Sequence, residues 1–391
     1  MFILWLGLYM TLSNRAGEYR QQPSGYKAFI PAPLPPDPPI KLDWKLQSLL
    51  SEAERSLGRL EGSITILPNP DLFVAMYVRK EAVLSSQIEG TQSSLQNLLE
   101  AEAQIFTDTT PKDVDEVINY VAAMNYGLKR LKELPVSIRL ICEIHSILLK
   151  NVRGRNATPG ELRRSQNWIG PAGCTIKSAI FVPPPPDVVA DALKEWEAFL
   201  YSEIDLPVLI KIGLAHSQFE TIHPFLDGNG RLGRLLIIFI LTEKGILQKP
   251  VLYLSHYFKQ HRQEYYTLLQ NVRDTGDWES WLEFFLNGIK IVSNEAVETI
   301  RKILKLREDN RLLITNHLGR KAANGHKLLE HLYQRPIITV NQIQEITGTT
   351  FTAANELMKQ FVELGIVEEM TGYSRNRRFR YKPYIDLFYD E

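Results

Sequence analysis

The chain has 391 residues, 44% of them hydrophobic, and its 45 basic and 45 acidic side chains balance to a formal charge of zero. That length allows a large core and two domains, while the charge balance excludes a whole-protein field drawing it to nucleic acid, so any such contact must come from a local patch. The two cysteines, Cys142 in an apolar run and Cys174 in a Gly-rich loop, give neither a disulfide framework nor metal-ligand spacing, which fits a reducing cytoplasm.

Taken in order, Met1 to Met10 is apolar but too short to span a bilayer, has no basic residues ahead of it and no cleavage site after it. It reads as a disordered extension, with Met10 as an alternative start. Pro31, Pro33, Pro35, Pro36, Pro38 and Pro39 predict an extended arm over residues 26–40. Leu46 to Leu60 predicts a helix burying Leu46, Leu49, Leu50, Ala53 and Leu57. A further helix begins near Asp71 and runs into Ser85-Ser-Gln-Ile-Glu89-Gly90. Ser85 and Glu89 share a face four residues apart, and Gly90 is a natural helix stop that leaves a carboxylate at the tip. By itself that is a solvated helix end.

Helices follow over Val114 to Leu134 and Ile138 to Leu149. His145 sits among Leu140, Ile141, Ile144 and Leu148 and reads as a satisfied core histidine. Between Gln166 to Ile169 and Ile176 to Val182 the period falls to that of strands around Gly170, Pro171 and Gly173, which predicts a hairpin, ended by Pro183 to Pro186. Val208 to Ile222 then has the spacing of a buried helix, and His216 on it reads as structural. Leu235 to Leu241 is apolar on nearly every side, as in a helix through a core.

Between these two helices lies His223-Pro-Phe-Leu-Asp-Gly-Asn-Gly-Arg-Leu-Gly-Arg234. Gly228-Asn229-Gly230 can turn successive N–H groups inward as an anion nest, and the nest opens a helix whose free N–H groups and dipole favour phosphate. Arg231 and Arg234 lie three apart in the first turn, so both guanidiniums reach that phosphate. Asp227 is a hard oxygen ligand beside the nest, suited to Mg²⁺. His223, with an ordinary pKa near ~6.5, is suited to taking a proton from a hydroxyl nucleophile. Base, metal carboxylate, nest and arginines make a phosphoryl- or nucleotidyl-transfer site. An EF-hand is excluded because Arg231 stands where a third ligand belongs and no glutamate closes the loop; no P-loop motif occurs.

Farther on, Val251 to Leu286 carries Tyr253, Tyr257, Tyr265, Tyr266 and Trp278, mostly core packing by their spacing. Ala296 to Leu318 is a charged connector helix. From about Gly325 short helices at Lys327 to Tyr333 and Val340 to Ile346, a longer one at Phe351 to Leu364, and strands at Val367 to Met370 and Phe379 to Tyr381 predict a winged helix-turn-helix. Arg375, Arg377, Arg378 and Arg380 among Tyr373, Phe379 and Tyr381 suit a DNA backbone, whereas Glu363, Glu368 and Glu369 suit a protein-docking module.

The twelve-residue loop resembles the signature of the Fic family, H-x-F-x-[DE]-G-N-G-R-x-x-R, at every fixed position, and the likeness extends over about Gln47 to Leu286. It implies transfer of AMP from ATP to a protein hydroxyl, with His223 as base, Asp227 as metal ligand, and Gly228, Asn229, Gly230, Arg231, Leu232, Gly233 and Arg234 as phosphate cradle. Ser85, Glu89 and Gly90 match the family's inhibitory motif, which implies that Glu89, as a buried carboxylate, pairs with Arg234 and fills the γ-phosphate space. Ser178, Ala179, Ile180 and Phe181 match the flap segment that covers the nucleotide and receives an extended target segment by strand addition; Gly160 and Arg163 fit the usual approach to it. The likeness puts Tyr257 and Tyr265 or Tyr266 against the adenine.

The expectation is a mainly helical protein with a small hairpin flap: an arm over 1–45, helices with the inhibitory motif over 46–110, a Fic core over 111–295, a connector over 296–324 and a winged helix over 325–391. It would be a self-inhibited, Mg²⁺-dependent protein adenylyltransferase in the cytoplasm, without a membrane partner. The alternative is a DNA-binding regulator whose Fic core senses nucleotide. Homodimerisation, and a DNA or protein partner for the winged helix, are left open.

Overall fold

The computed structural model describes residues 15–67, 69–105, 111–152, 158–372 and 376–389. The apolar stretch Met1 to Met10, and Tyr373 and Arg375 of the basic wing, lie outside the described residues. The chain opens with a hairpin, β1 (Gly17–Gln21) and β2 (Lys27–Pro31), and continues through α1 (Trp44–Thr65), α2 (Pro70–Ile88), α3 (Leu95–Glu102), α4 (Val114–Arg130) and α5 (Ile138–Leu148). After a long loop come α6 (Pro186–Tyr201), α7 (Val208–Ile222), α8 (Asn229–Glu243), α9 (Ser255–Gln260), α10 (Arg262–Thr275) and α11 (Trp278–Leu318). The remainder holds α12 (Ala322–Gln334), β3 (Ile337–Thr339), α13 (Val340–Thr347), α14 (Phe351–Glu363), β4 (Glu368–Glu369), β5 (Arg378–Arg380) and α15 (Lys382–Ile385).

Two compact units result, each discontinuous in sequence. The first takes residues 1–54, 122–243 and 258–288. Its centre is α7 and α8, joined by the loop from His223 to Gly228 and packed on each other. Every α7 residue from Leu209 to Ile222 is buried, as is all of α8 from Arg231 to Leu241. Pro207, which cannot donate a backbone hydrogen bond, precedes α7, and the Ser137 side chain caps α5 by accepting the Leu140 N–H. Two buried indoles fix α7 from opposite neighbours: Trp196 Nε1 donates to the Ala215 carbonyl at 2.8 Å and Trp281 Nε1 to that of Gly213 at 2.9 Å.

Two expectations for this unit change. Residues 26–40 are not wholly an extended arm, because β2 takes the first part of them in an antiparallel pair with β1. The turn at Gly25, whose φ is +84°, lets the chain fold back and bury Ala28 and Phe29. The predicted flap hairpin keeps its antiparallel path, but its strand pairing is reduced to one bridge, Ile169 with Phe181. Ile176–Ser178 is instead a 3₁₀ turn in which Thr175 and Ser178 bond each other's side chain and backbone.

The second unit takes residues 55–121, 244–257 and 289–391. In it α12 packs against α2, and the Phe73 and Tyr333 rings lie 4.9 Å apart. Its sheet is antiparallel in the order β3–β5–β4. Helices α12, α13 and α14 lie close to their predicted places. The sequence reading missed β3, which is only three residues long and runs straight into the capped start of α13. The stretch read as a separate connector is the C-terminal part of α11, a single helix of 41 residues.

Candidate active site

The loop between α7 and α8 is built from backbone conformations that few residues tolerate. His223 ends α7 at φ +49°, ψ +60°, left-handed for a non-glycine residue, with its N–H bonded to the Phe219 carbonyl at 3.0 Å. Gly228, at φ +79°, is the second turn, and Asn229 directly after it opens α8. A left-handed residue leading into a helical one is the backbone pattern of the nest expected from sequence, here at the N-terminus of α8. The Asn229 side chain faces inward, its Oδ1 accepting the Phe225 N–H at 2.9 Å and its Nδ2 donating to the Phe225 carbonyl at 2.8 Å. What Asn229 offers an anion is therefore its backbone N–H.

A neutral histidine supports this loop from below. The His145 ring stacks on Phe225 at 3.8 Å between centroids. Gly160 donates its N–H to His145 Nδ1 at 2.8 Å, so the proton is on Nε2, which donates to the Asp227 carbonyl at 3.0 Å. A Cβ at Gly228 would lie 3.5 Å from that same Nε2, so the nest rests directly on the imidazole. Burial pushes the His145 pKa down to about 4, only partly offset by the bond to the Asp227 carbonyl. His216, two turns before the loop, is likewise structural: it contacts the Gly233 carbonyl at 3.1 Å and the Tyr265 hydroxyl at 2.9 Å, and burial pushes its pKa to about 3.

A prediction follows from His145. Its folded pKa is depressed, so the unfolded chain takes up the proton first, and stability present above pH ~6.5 is lost as pH falls toward about 4. Displacing a histidine from about 6.5 to about 4 corresponds to roughly 3 kcal/mol. Urea unfolding at pH 7 and pH 4.5 should show the parent losing more stability on acidification than His145→Gln; equal losses in both would refute this role.

At the start of α8, Arg231 and Arg234 are both buried. Arg231 Nη2 stands 3.7 Å from Asp227 Oδ1, which also accepts the Gly228 N–H at 2.6 Å. Gly233 is a close approach: a Cβ there would sit 2.1 Å from a Glu220 carboxylate oxygen. The Asp227 side chain is 42% exposed. Among the described residues no three His, Cys, Asp or Glu side chains cluster as a metal site. One carboxylate beside a phosphate nest is still what Mg²⁺ accepts, since it keeps waters and takes its other ligands from substrate phosphates.

Residues 47–129 match the Fic/DOC family N-terminal model and residues 135–241 the Fic/DOC family model. The chain carries a Fic/DOC N-terminal domain and a Fic domain. A probable protein adenylyltransferase of Aquifex aeolicus (strain VF5) is 28% identical over 322 residues, 73% of this chain and 94% of that protein. Protein adenylyltransferase Fic of Aedes aegypti is 33% identical over 208 residues, 50% of this chain but only 37% of that protein. A Fic family protein from Desulfovibrio desulfuricans G20 shares the fold at a TM-score of 0.57 and 18% identity, covering 88% of this chain and 97% of that one.

The residues expected against the nucleotide differ widely in exposure. Phe181 is 1% exposed; its ring packs toward Phe29 at 6.0 Å and lies 3.9 Å beneath the Arg273 guanidinium. Its side chain is thus an anchor for the flap, and Ile180, 63% exposed, is the residue that faces outward. Ser178 is exposed and Ala179 half-buried. Tyr265 is fully buried, stacked on Phe258 at 4.6 Å and bonded to His216, a core role. Tyr266 is half-buried under the Arg262 guanidinium. Arg273 was missed by sequence reasoning: it also donates to Thr221 Oγ1 at 3.1 Å and the Glu220 carbonyl at 3.3 Å. Little local marks it out, because Gln270 aside its partners come from distant segments.

Tyr257 and the inhibitory motif belong to the second unit. Tyr257 and Ser85 are buried, while Gly90 takes φ +96° just past the end of α2. Glu89 is the C-cap of that helix and is exposed, not the buried carboxylate expected, because it sits past the last buried turn. Around the C-terminal sheet, Arg377 pairs with Glu369 at 3.3 Å and with Asn355 at 2.7 Å, and Arg380 pairs with Glu368. The acidic residues of the same sheet thus neutralise two of the expected phosphate-tracking arginines.

Proposed function

We propose that this Fic protein transfers AMP from ATP to a Ser, Thr or Tyr hydroxyl of a target protein, itself included. The observation that carries the reading is His223 held on a left-handed cap, with a glycine-opened helix N-terminus and two buried arginines following in one loop. His223 takes the hydroxyl proton as the oxygen attacks the α-phosphorus. The bond from that phosphorus to the oxygen bridging to the β-phosphate breaks, and pyrophosphate leaves. The nest and Arg231 hold the phosphates that carry the charge, and Arg234 holds the γ-phosphate. Mg²⁺, held by Asp227, would neutralise phosphate charge when bound. The names of the Aquifex and Aedes relatives support the same activity.

The intact base favours an enzyme over a nucleotide sensor, which needs the cradle but not His223. The target would lie as an extended segment along the flap, past Ile180. Glu89 acts as the inhibitory residue of the same chain. The C-terminal helices and sheet form a winged helix, and the neutralised arginines favour protein docking over a phosphate surface. Among the described residues no helix is long and apolar enough to cross a membrane, and Cys142 and Cys174 are unpaired, in keeping with work in the cytoplasm. Incubation with ATP and Mg²⁺ followed by intact-mass measurement should reveal an added adenylyl group on the protein or on a lysate protein. Absence of any adduct with both the parent and Glu89→Gly would overturn the reading.

A further inference from the structure

Arg163 is a buried arginine, 2% exposed, on the loop that leads into the flap. Among the described residues its guanidinium is bonded to no carboxylate; every bond ends on a backbone carbonyl. Nε donates to the His223 carbonyl at 2.9 Å, Nη2 to those of Pro184 at 2.5 Å and Ile222 at 3.4 Å, and Nη1 to that of Ser165 at 3.4 Å. Its backbone N–H adds a bond to the Pro224 carbonyl at 3.0 Å.

Burying a cation without a counter-charge is costly, and burial lowers the Arg163 pKa to about 10. A planar fork is the side chain that can hold several carbonyls at fixed angles at once. The carbonyls of Ile222 and His223 are the last of α7, where intrahelical donors run out and the dipole is negative. The third, Pro184, lies where the flap returns to α6. The next contact along is of the same kind: Asn167 Nδ2 donates to the Phe225 carbonyl at 2.8 Å. The arginine therefore braces the one non-glycine residue of this loop that is held left-handed.

We propose that Arg163 is the positioning residue of this site: it locks the backbone of His223 in its left-handed conformation and ties that loop to the end of the flap. It touches neither nucleotide nor target in this scheme. Small misplacements of a base are expensive in rate, so the effect falls on turnover and spares binding. Lysine keeps the charge but offers a point donor that reaches one carbonyl where the fork holds several.

The proposal rests on the AMP-transfer reading for its kinetic assay, and a second readout is independent of activity. In Arg163→Lys, kcat for AMP transfer should fall about 10–100-fold while KM for ATP and the ATP dissociation constant stay near the parent's. With ¹³C-histidine labelling, the His223 resonances should shift or broaden in the variant while those of His331 on α12 stay in place. Asn167→Ala, the milder change, should move kcat the same way by less. A parent without AMP transfer would sink the proposed function alone, leaving the resonance test in force. A folded Arg163→Lys with unchanged His223 resonances, or with ATP affinity falling as much as kcat, would overturn the positioning role.

Discussion

His223→Ala should lower AMP transfer by ~10²–10⁴-fold, the usual worth of a general base, and leave ATP binding nearly unchanged. The reason is geometric. In the proposed scheme the phosphates are held by N–H groups and guanidiniums that begin at Asn229, directly after the second turn of the loop, whereas His223 acts on the nucleophile. Its conformation adds a control. At φ +49° an alanine is strained, while asparagine tolerates the left-handed region better. His223→Asn should therefore melt closer to the parent than His223→Ala, yet be equally inactive. If loss of activity tracked melting temperature across the two variants, the effect would be structural. If either variant labelled a target at the parent's rate, His223 would not be the base.

The loop's backbone path was legible in the sequence because its determinants are local. A glycine-opened helix start, two arginines three apart and a histidine at the loop's mouth lie within twelve residues, and the backbone does there what those residues permit. The bounds of α7 followed from apolar spacing closed by Pro207 and Pro224. His145 was legible as a satisfied core histidine, but not as the support of the Asp227 carbonyl, since Gly160 and Asp227 come to it only through the fold.

What the sequence left open depended on distant partners. Phe181 and Tyr265 have the composition and position of ligand contacts, and the fold sets Arg273 and Phe29 against the first and His216 against the second. An aromatic beside a signature reads the same from sequence whether it faces a ligand or the core. The flap was over-read as strands because alternation was counted without asking where each backbone donor goes. Ile180 and Phe181 both donate to the Ile169 carbonyl, and the turn from Thr175 to Ser178 satisfies its own groups. Around the C-terminal sheet, the sequence left the arginines and the glutamates as opposing arguments, and only the fold shows Glu368 beside Arg380 and Glu369 beside Arg377.

Glu89→Gly should raise AMP transfer, by ~5–150-fold if the inhibition is an ordinary coupling of about 1–3 kcal/mol. Glu89 caps α2, with Ser85 buried one turn before it and Gly90 bending the chain away at φ +96°. The proposed inhibition is electrostatic: an arginine engaged by a carboxylate is lost to the γ-phosphate, and the carboxylate repels the phosphate's own charge. ATP would then bind with its α-phosphorus out of line for attack. The partner variant separates this from simple unblocking. Arg234→Ala clears the same space but removes a phosphate ligand from the first turn of α8, so it should stay inactive, alone and combined with Glu89→Gly. AMP transfer measured with α-labelled ATP across the parent, both single variants and the double decides between them. A Glu89→Gly protein no more active than the parent on any target, itself included, would remove the self-inhibition. An Arg234→Ala protein as active as Glu89→Gly would show that Arg234 is not the γ-phosphate ligand.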